Sequence, residues 1–157
     1  MDKLNIHSKL KGIQSSLKAP KGQTNKFGGY AYRSAEDILT AVKPLLAEWN
    51  CTLVITDDMV EVGGRVYVKA TTVLADTEGD YTIQVSGFAR EAETRKGMDD
   101  SQITGSASSY ARKYALNGLF AIDDTKDADA TNNHGKKPTT QTKKISQPAN
   151  ADSDFEF

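Results

Sequence analysis

The segment NKFGGYAYR places aromatic rings between two cations on a glycine-rich stretch. Its cations are Lys26 and Arg33, and its aromatic residues are Phe27, Tyr30 and Tyr32. Bases stack on such rings at roughly 1–3 kcal/mol each while cations follow the phosphates, with little sequence preference. The pattern predicts a single-strand contact through Lys26, Tyr30, Tyr32 and Arg33. The alternative is that the rings hold a loop against a sheet, and Phe27 is the strongest candidate for that role.

A second segment, QITGSASSYARKYALNGLF, combines small residues with adjacent cations. At 3.6 residues per turn, one helical face has short side chains and positive charge: Gly105, Ser108, Ser109, Arg112 and Leu116, with Lys113 at its margin. A phosphate could approach that face closely and accept hydrogen bonds from Ser109, Arg112 and Lys113. Close packing against another copy of the chain would also favour small residues, so this alternative stays open.

A different stripe of the same helix contains Ile103, Ala107, Tyr110, Ala111, Tyr114 and Ala115. Tyr110 and Tyr114 are four residues apart, which is typical of one buried helical face. We therefore expect both tyrosines to pack against the sheet.

A third group of cations contains Arg90, Arg95 and Lys96, at the end of a predicted strand and in the following loop. Glu91 and Glu93 lie among them, so a solvated loop is the alternative to a DNA contact.

Residues for covalent catalysis or metal binding are scarce. There is no GxxxxGK[ST] sequence, which argues against ATP-driven strand exchange. His7 and His134 are isolated. Asp124 and Lys126 have the D-x-K spacing of magnesium-dependent nucleases, but they follow a helix instead of lying on a strand inside a sheet. We expect no catalytic residue, no metal and no cofactor.

The charge is unevenly distributed along the 157 residues, although the formal net charge is only −1. From Lys3 to Arg33 there are seven basic residues and no acid, whereas Asp123 to Phe157 contain seven acids and five lysines. A basic front and an acidic end suggest an anionic partner that competes with the chain's own tail. No signal peptide or 18-residue apolar span is found, so we expect a cytoplasmic protein.

Hydrophobic periodicity predicts an α+β fold in which helices pack on a three-stranded antiparallel meander. The first eighteen residues form a predicted helix, and KAPKGQTNKFGGY is a predicted loop. Ser34 is expected to cap a second helix with Asp37 in a capping box, and Pro44 to kink it. The strands are CTLVITD, RVYVKATTVLAD and YTIQVSGFAR, and the last helix is expected to end near Asn117–Gly118.

The composition changes near Asp129, after which apolar residues are few. We therefore predict one domain over residues 1–129 and a disordered polar tail over residues 130–157. The tail ends in an acidic and aromatic tip, from Asp152 to Phe157.

The aromatic segment with its helix, the three strands, and MDDSQITGSASSYARKYALNGLFAIDDTKDAD together resemble the ERF (essential recombination function) family of phage single-strand annealing proteins. The resemblance covers roughly Leu4 to Asp129. It implies a fold similar to the annealing domain of the eukaryotic Rad-type recombination mediator, and homo-oligomeric rings or filaments. It also implies ATP-independent pairing of single-stranded DNA in the host cytoplasm, through Tyr30, Tyr32, Arg33, Arg112 and Lys113. Asp123 and Asp124 match the family's acidic character.

The tip also resembles the tails of bacterial single-stranded-DNA-binding proteins. On that basis Asp154, Phe155, Glu156 and Phe157 are expected to bind host replication or repair proteins, or the chain's own basic groove. The alternative is that the acids only keep the tail soluble.

Two other functions stay open on the sequence alone. One is a plain coating protein that binds single strands and recruits partners without accelerating pairing. The other is a magnesium-dependent nuclease.

Overall fold

The computed structural model describes residues 5–26 and 29–123, with only the backbone of Tyr30. The elements are α1 (Ile6–Ser16), β1 (Gln23–Asn25), β2 (Tyr30–Tyr32), α2 (Ala35–Glu48), β3 (Cys51–Val62), β4 (Arg65–Asp76), β5 (Thr82–Arg90) and α3 (Asp100–Phe120). This arrangement confirms the α+β prediction. Residues 124–157, and with them the predicted tail, lie outside the described part.

The three long strands form one antiparallel sheet in the order β3-β4-β5, which confirms the predicted meander. Val54 pairs with Val73, and Val73 pairs with Gln84. Successive side chains of β4 point to opposite faces, and Val68, Ala70, Thr72, Leu74 and Asp76 are the buried ones. The helices therefore cover one face of this sheet.

Helix α3 lies so close to β5 that only small residues fit between them. Ala111 and Ala115 are fully buried, and a Cβ added to Gly87 would lie 2.5 Å from the Ala111 carbonyl oxygen and 2.4 Å from the Ala115 nitrogen. The backbones of α3 and β5 are therefore in direct contact at this crossing. This contact sets the distance between α3 and the sheet, that is, the height of α3 above it.

Helices α1 and α2 complete the core over the second half of α3. The fully buried side chains there are Ile13, Ile38, Val42, Leu116, Leu119 and Phe120. The Trp49 ring lies on Gly12 of α1, where an added Cβ would be only 2.2 Å from Cζ2 of the indole. A glycine on α1 thus accommodates the residue that ends α2.

A buried ion pair fastens α1 to the end of β4. The Lys9 ammonium donates to Asp76 at 2.8 Å and to Glu78 at 2.7 Å. These hydrogen bonds raise the pKa of Lys9 above its ordinary value, despite the opposing effect of burial. Lys9 is therefore part of the protein interior and does not belong to the basic surface suggested by its sequence neighbours.

The predicted loop before α2 was partly wrong, because it contains β1 and the first residue of β2, which pair as a short antiparallel hairpin. The Ser34–Asp37 capping box is confirmed, and α2 continues through Pro44 to Glu48.

The predicted end of α3 was also wrong. The helix runs to Phe120 and ends with Ala121 in the left-handed conformation, at φ 51°. Gly118 lies within α3, and its added Cβ would be 3.0 Å from Val85. This glycine therefore allows α3 to lie close to β5, and it does not cap the helix. Of the helices in the described ranges, none is long and apolar enough to cross a membrane.

Candidate nucleic-acid interface

A groove between the β1–β2 hairpin, the start of α2 and the middle of α3 brings two of the predicted clusters together. We call it the polar groove; its lining includes Asn25, Tyr32, Arg33, Glu36, Ser109 and Lys113. These residues come from two distant segments of the chain, and the fold makes them neighbours.

Local structure fixes the hairpin side of the polar groove. Strand β2 ends at Tyr32 and Ser34 caps α2, so Arg33 lies between two ordered elements. Arg33 is only 8% exposed, whereas the Tyr32 side chain is 37% exposed. The hairpin and the start of α2 thus enclose Arg33 at the base of the groove, and its contact with a single strand stays a prediction.

Helix α3 supplies the opposite wall of the polar groove. Ser109 is exposed and Lys113, one turn later, is partly exposed, whereas Leu116 of the predicted phosphate-binding face is buried. Tyr110 lies beside them and also lines the groove.

A second groove lies on the β5 side of α3, and we call it the aromatic groove. Its lining includes Phe88, Arg90, Arg95, Ser106, Tyr110 and Tyr114. Two members of the predicted Arg90–Lys96 cluster thus meet the tyrosines of α3. Because Tyr110 lines both grooves, the two form neighbouring parts of one surface.

The two tyrosines of α3 contradict the prediction that they are core residues. Tyr110 is 50% exposed and Tyr114 is 47% exposed, and their ring centroids are 6.1 Å apart. The close approach of α3 to Gly87 leaves no room for a ring between helix and sheet, so both rings lie at the helix edge. The two tyrosines were not predicted as site residues. The alanines at 107, 111 and 115, together with Gly87 of β5, indicate a close approach of helix and sheet that would exclude large rings.

Arg112 occupies the other edge of α3 and bonds within the protein. Its guanidinium contacts the Asp57 carboxylate of β3 through Nε at 3.0 Å and Nη2 at 2.9 Å, and Ser108 donates to the same carboxylate at 2.6 Å. Burial alone would raise the pKa of Asp57, but the hydrogen bonds from Arg112 and Ser108 outweigh it and lower that pKa. A DNA phosphate would thus have to compete with the Asp57 carboxylate for Arg112, since the charge of Arg112 is already paired.

The remaining predicted residues are dispersed. Lys26, in the turn between β1 and β2, and Lys96 are exposed but line neither groove. The backbone of Tyr30 belongs to β2. Phe27, the Asp124–Lys126 pair and the tip with Asp154, Phe155, Glu156 and Phe157 lie outside the described residues.

Metal ligands are not assembled in the described ranges, where no group of three His, Cys, Asp or Glu residues could hold an ion. The chemistry available in the two grooves is hydrogen bonding, charge and aromatic stacking. These are the interactions with which proteins hold single-stranded nucleic acids.

Comparison with known proteins gives the family. The model of the ERF superfamily matches residues 6–156. The Essential recombination function protein of Salmonella phage P22 is 52% identical over an alignment of 142 residues that covers 88% of this chain and 67% of that protein. No solved structure matches the chain, so the expected likeness to the eukaryotic annealing domain stays a prediction. The match over nearly the whole chain shows that this protein belongs to the ERF superfamily.

Proposed function

We propose that this protein binds single-stranded DNA and pairs complementary strands without ATP during phage recombination. Membership of the ERF superfamily and the name of the phage P22 relative support the recombination role. The binding and pairing steps rest on the two grooves.

The polar groove is the observation on which the proposal depends. It joins Tyr32 and Arg33 from the hairpin to Ser109 and Lys113 from α3, two segments whose residue types each suit a nucleic-acid backbone. Ser109 and Lys113 can donate hydrogen bonds to phosphate oxygens, and the Arg33 charge at the base attracts them. A groove of this kind holds the backbone and reads no base edges.

Annealing then needs no covalent chemistry. Each subunit holds a short stretch of one strand by its phosphates, and neighbouring copies in a ring or filament extend that stretch. Bases that are not held by protein can test a second strand, and matched pairing fixes it. Firm but unspecific contacts suit this task, since base-edge contacts would favour particular sequences.

A fluorescence annealing assay with complementary oligonucleotides tests the proposal, with and without magnesium. The wild-type protein should accelerate pairing and leave both strands intact. Binding should weaken with salt at a log–log slope of about −0.7 for each phosphate contacted. Binding without faster pairing would instead indicate a coating protein, and cleavage with magnesium a nuclease.

Lys113→Ala should weaken binding and annealing, and its salt slope should be shallower by about 0.7. Lys43→Ala is the matched control, because Lys43 is exposed on α2 two turns beyond the residues that line the polar groove. Equal effects of the two substitutions would contradict the placement of the strand in this groove.

A further inference from the structure

We propose that the aromatic groove is a pocket for a single unpaired base of the bound strand. The inference rests on the proposed function and assigns the ligand of the second groove.

The aromatic rings of this groove both project from α3. Tyr110 and Tyr114 are about half exposed, whereas Phe88 of β5 pairs with Lys69 and its side chain points to the sheet face opposite α3. Base stacking on a ring requires an exposed face, which buried core aromatics lack. Two partly exposed rings beside one depression are therefore suited to a planar ligand.

The floor of the groove is apolar and made of small or medium side chains. Ala89, Ile103 and Ala107 lie there, and the groove volume is about 320 Å³. This volume is at the lower end of the roughly 300–1,000 Å³ typical of small-molecule sites. The size suits one base rather than a larger cofactor.

Positive charge at the groove matches the phosphates that flank a base. Arg90 and Arg95 both line it and both are exposed. The adjacent acid, Glu91, accepts a hydrogen bond from Thr104 of α3, so its carboxylate is engaged within the chain. A nucleotide thus meets cations for its phosphates as well as rings for its base.

The position of Tyr110 connects this pocket to the polar groove. Its side chain lines both, so a strand that follows the polar groove meets the aromatic groove at the same ring. Stacking holds any base, which agrees with binding of low sequence preference. A base in the pocket is withheld from pairing until the duplex forms, whereas its neighbours stay available.

The test uses the full chain and a dT oligonucleotide carrying one 2-aminopurine, whose fluorescence falls when it stacks. Ser106→Leu places a larger side chain in the aromatic groove from its partly exposed wall. Ser101→Leu is the matched control, because Ser101 is exposed in the first turn of α3 and lines neither groove. Thermal melting establishes that both variants are folded.

Wild type and Ser101→Leu should quench the 2-aminopurine. Ser106→Leu should still bind, with an unchanged salt slope, but should lose the quenching and about 5- to 150-fold in affinity. It should also cease to distinguish dT from an abasic strand of the same length. Tyr114→Leu, which removes a ring and keeps an apolar side chain, should show the same loss.

Quenching and base discrimination that persist in both Ser106→Leu and Tyr114→Leu would overturn the base pocket while leaving strand binding intact. Failure of the wild-type protein to bind any single strand would overturn the proposed function and the base pocket together.

Discussion

Replacing Gly87 by alanine tests the contact that sets the height of α3 above the sheet. The added Cβ would lie 2.4 Å from the Ala115 nitrogen, about 1 Å short of ordinary contact at 3.4 Å. Both nearest atoms are backbone atoms, which cannot rotate away as a flexible side chain can. Helix α3 must therefore move by about 1 Å, or β5 must bend.

Overpacking of a core costs roughly 1–3 kcal/mol, and the rigid surroundings of Gly87 favour the upper end. For a folded part of about 120 residues, 1 kcal/mol corresponds to about 4 °C in Tm. We expect Gly87→Ala to lower Tm by about 12 °C in a thermal melt followed by circular dichroism. Because the added Cβ also approaches the Tyr114 carbonyl carbon, at 3.0 Å, strand binding should weaken as the tyrosines shift.

Gly105→Ala is the control for Gly87→Ala, since it makes the same chemical change on an open helix surface. Alanine is the better helix former by roughly 0.5–1 kcal/mol, so this variant should melt about 2–4 °C higher than wild type. A Gly87→Ala protein that melts within about 1 °C of wild type would refute the close approach of α3 and β5. It would also remove the explanation for the exposed tyrosines.

Three other changes give separate outcomes. Asp57→Asn should lower the free energy of unfolding in denaturant at pH 7, because the folded-state pKa of Asp57 lies below its ordinary value of 3.8. The difference in unfolding free energy between variant and wild type should narrow below about pH 4, where Asp57 becomes protonated. A difference that does not change with pH would contradict the pairing with Arg112. Tyr114→Ala should cost only about 1 kcal/mol of stability, rather than the roughly 3–5 kcal/mol of a buried aromatic, yet it should weaken strand binding. Calorimetry and a binding titration check the two effects, and a large loss of stability would show that the Tyr114 ring is buried. Deleting Asp152–Phe157 should tighten strand binding at low salt if the tip occupies the basic surface. If the tip instead recruits partner proteins, strand binding should be unchanged and partner capture should be lost. No effect in either assay would leave only a solubilising role.

The sheet could be predicted because alternation with period two is a strong local signal. Each of the three strands has it, and Gly63–Gly64 supplies the positive φ angles, 60° and 71°, of a tight turn between β3 and β4. The hairpin β1–β2 has only three residues in each strand and lies among glycines, so it gives no comparable period.

The candidate site was predicted in pieces but not as a surface. Sequence analysis singled out Tyr32, Arg33 and Lys113 by residue type, and their meeting in one groove depends on tertiary packing. The predicted burial of Tyr110 and Tyr114 was wrong, because the helical period shows which residues share one face of α3 but not how close that face lies to the sheet. The pairing of Arg112 could not be predicted for a similar reason, since its partner Asp57 lies fifty-five residues earlier on β3.

The contact between Trp49 and Gly12 makes the native fluorescence of this protein a site-specific optical reporter. The sequence contains one tryptophan, so all indole emission comes from the place where α1 meets the end of α2. The polar groove lies at the other end of α2, about 20 Å away for a helix of 14 residues. Emission should therefore follow the docking of α1 during unfolding without direct quenching by bound bases. A spectral change on adding a single strand would show that α2 transmits binding at one end to the indole at the other.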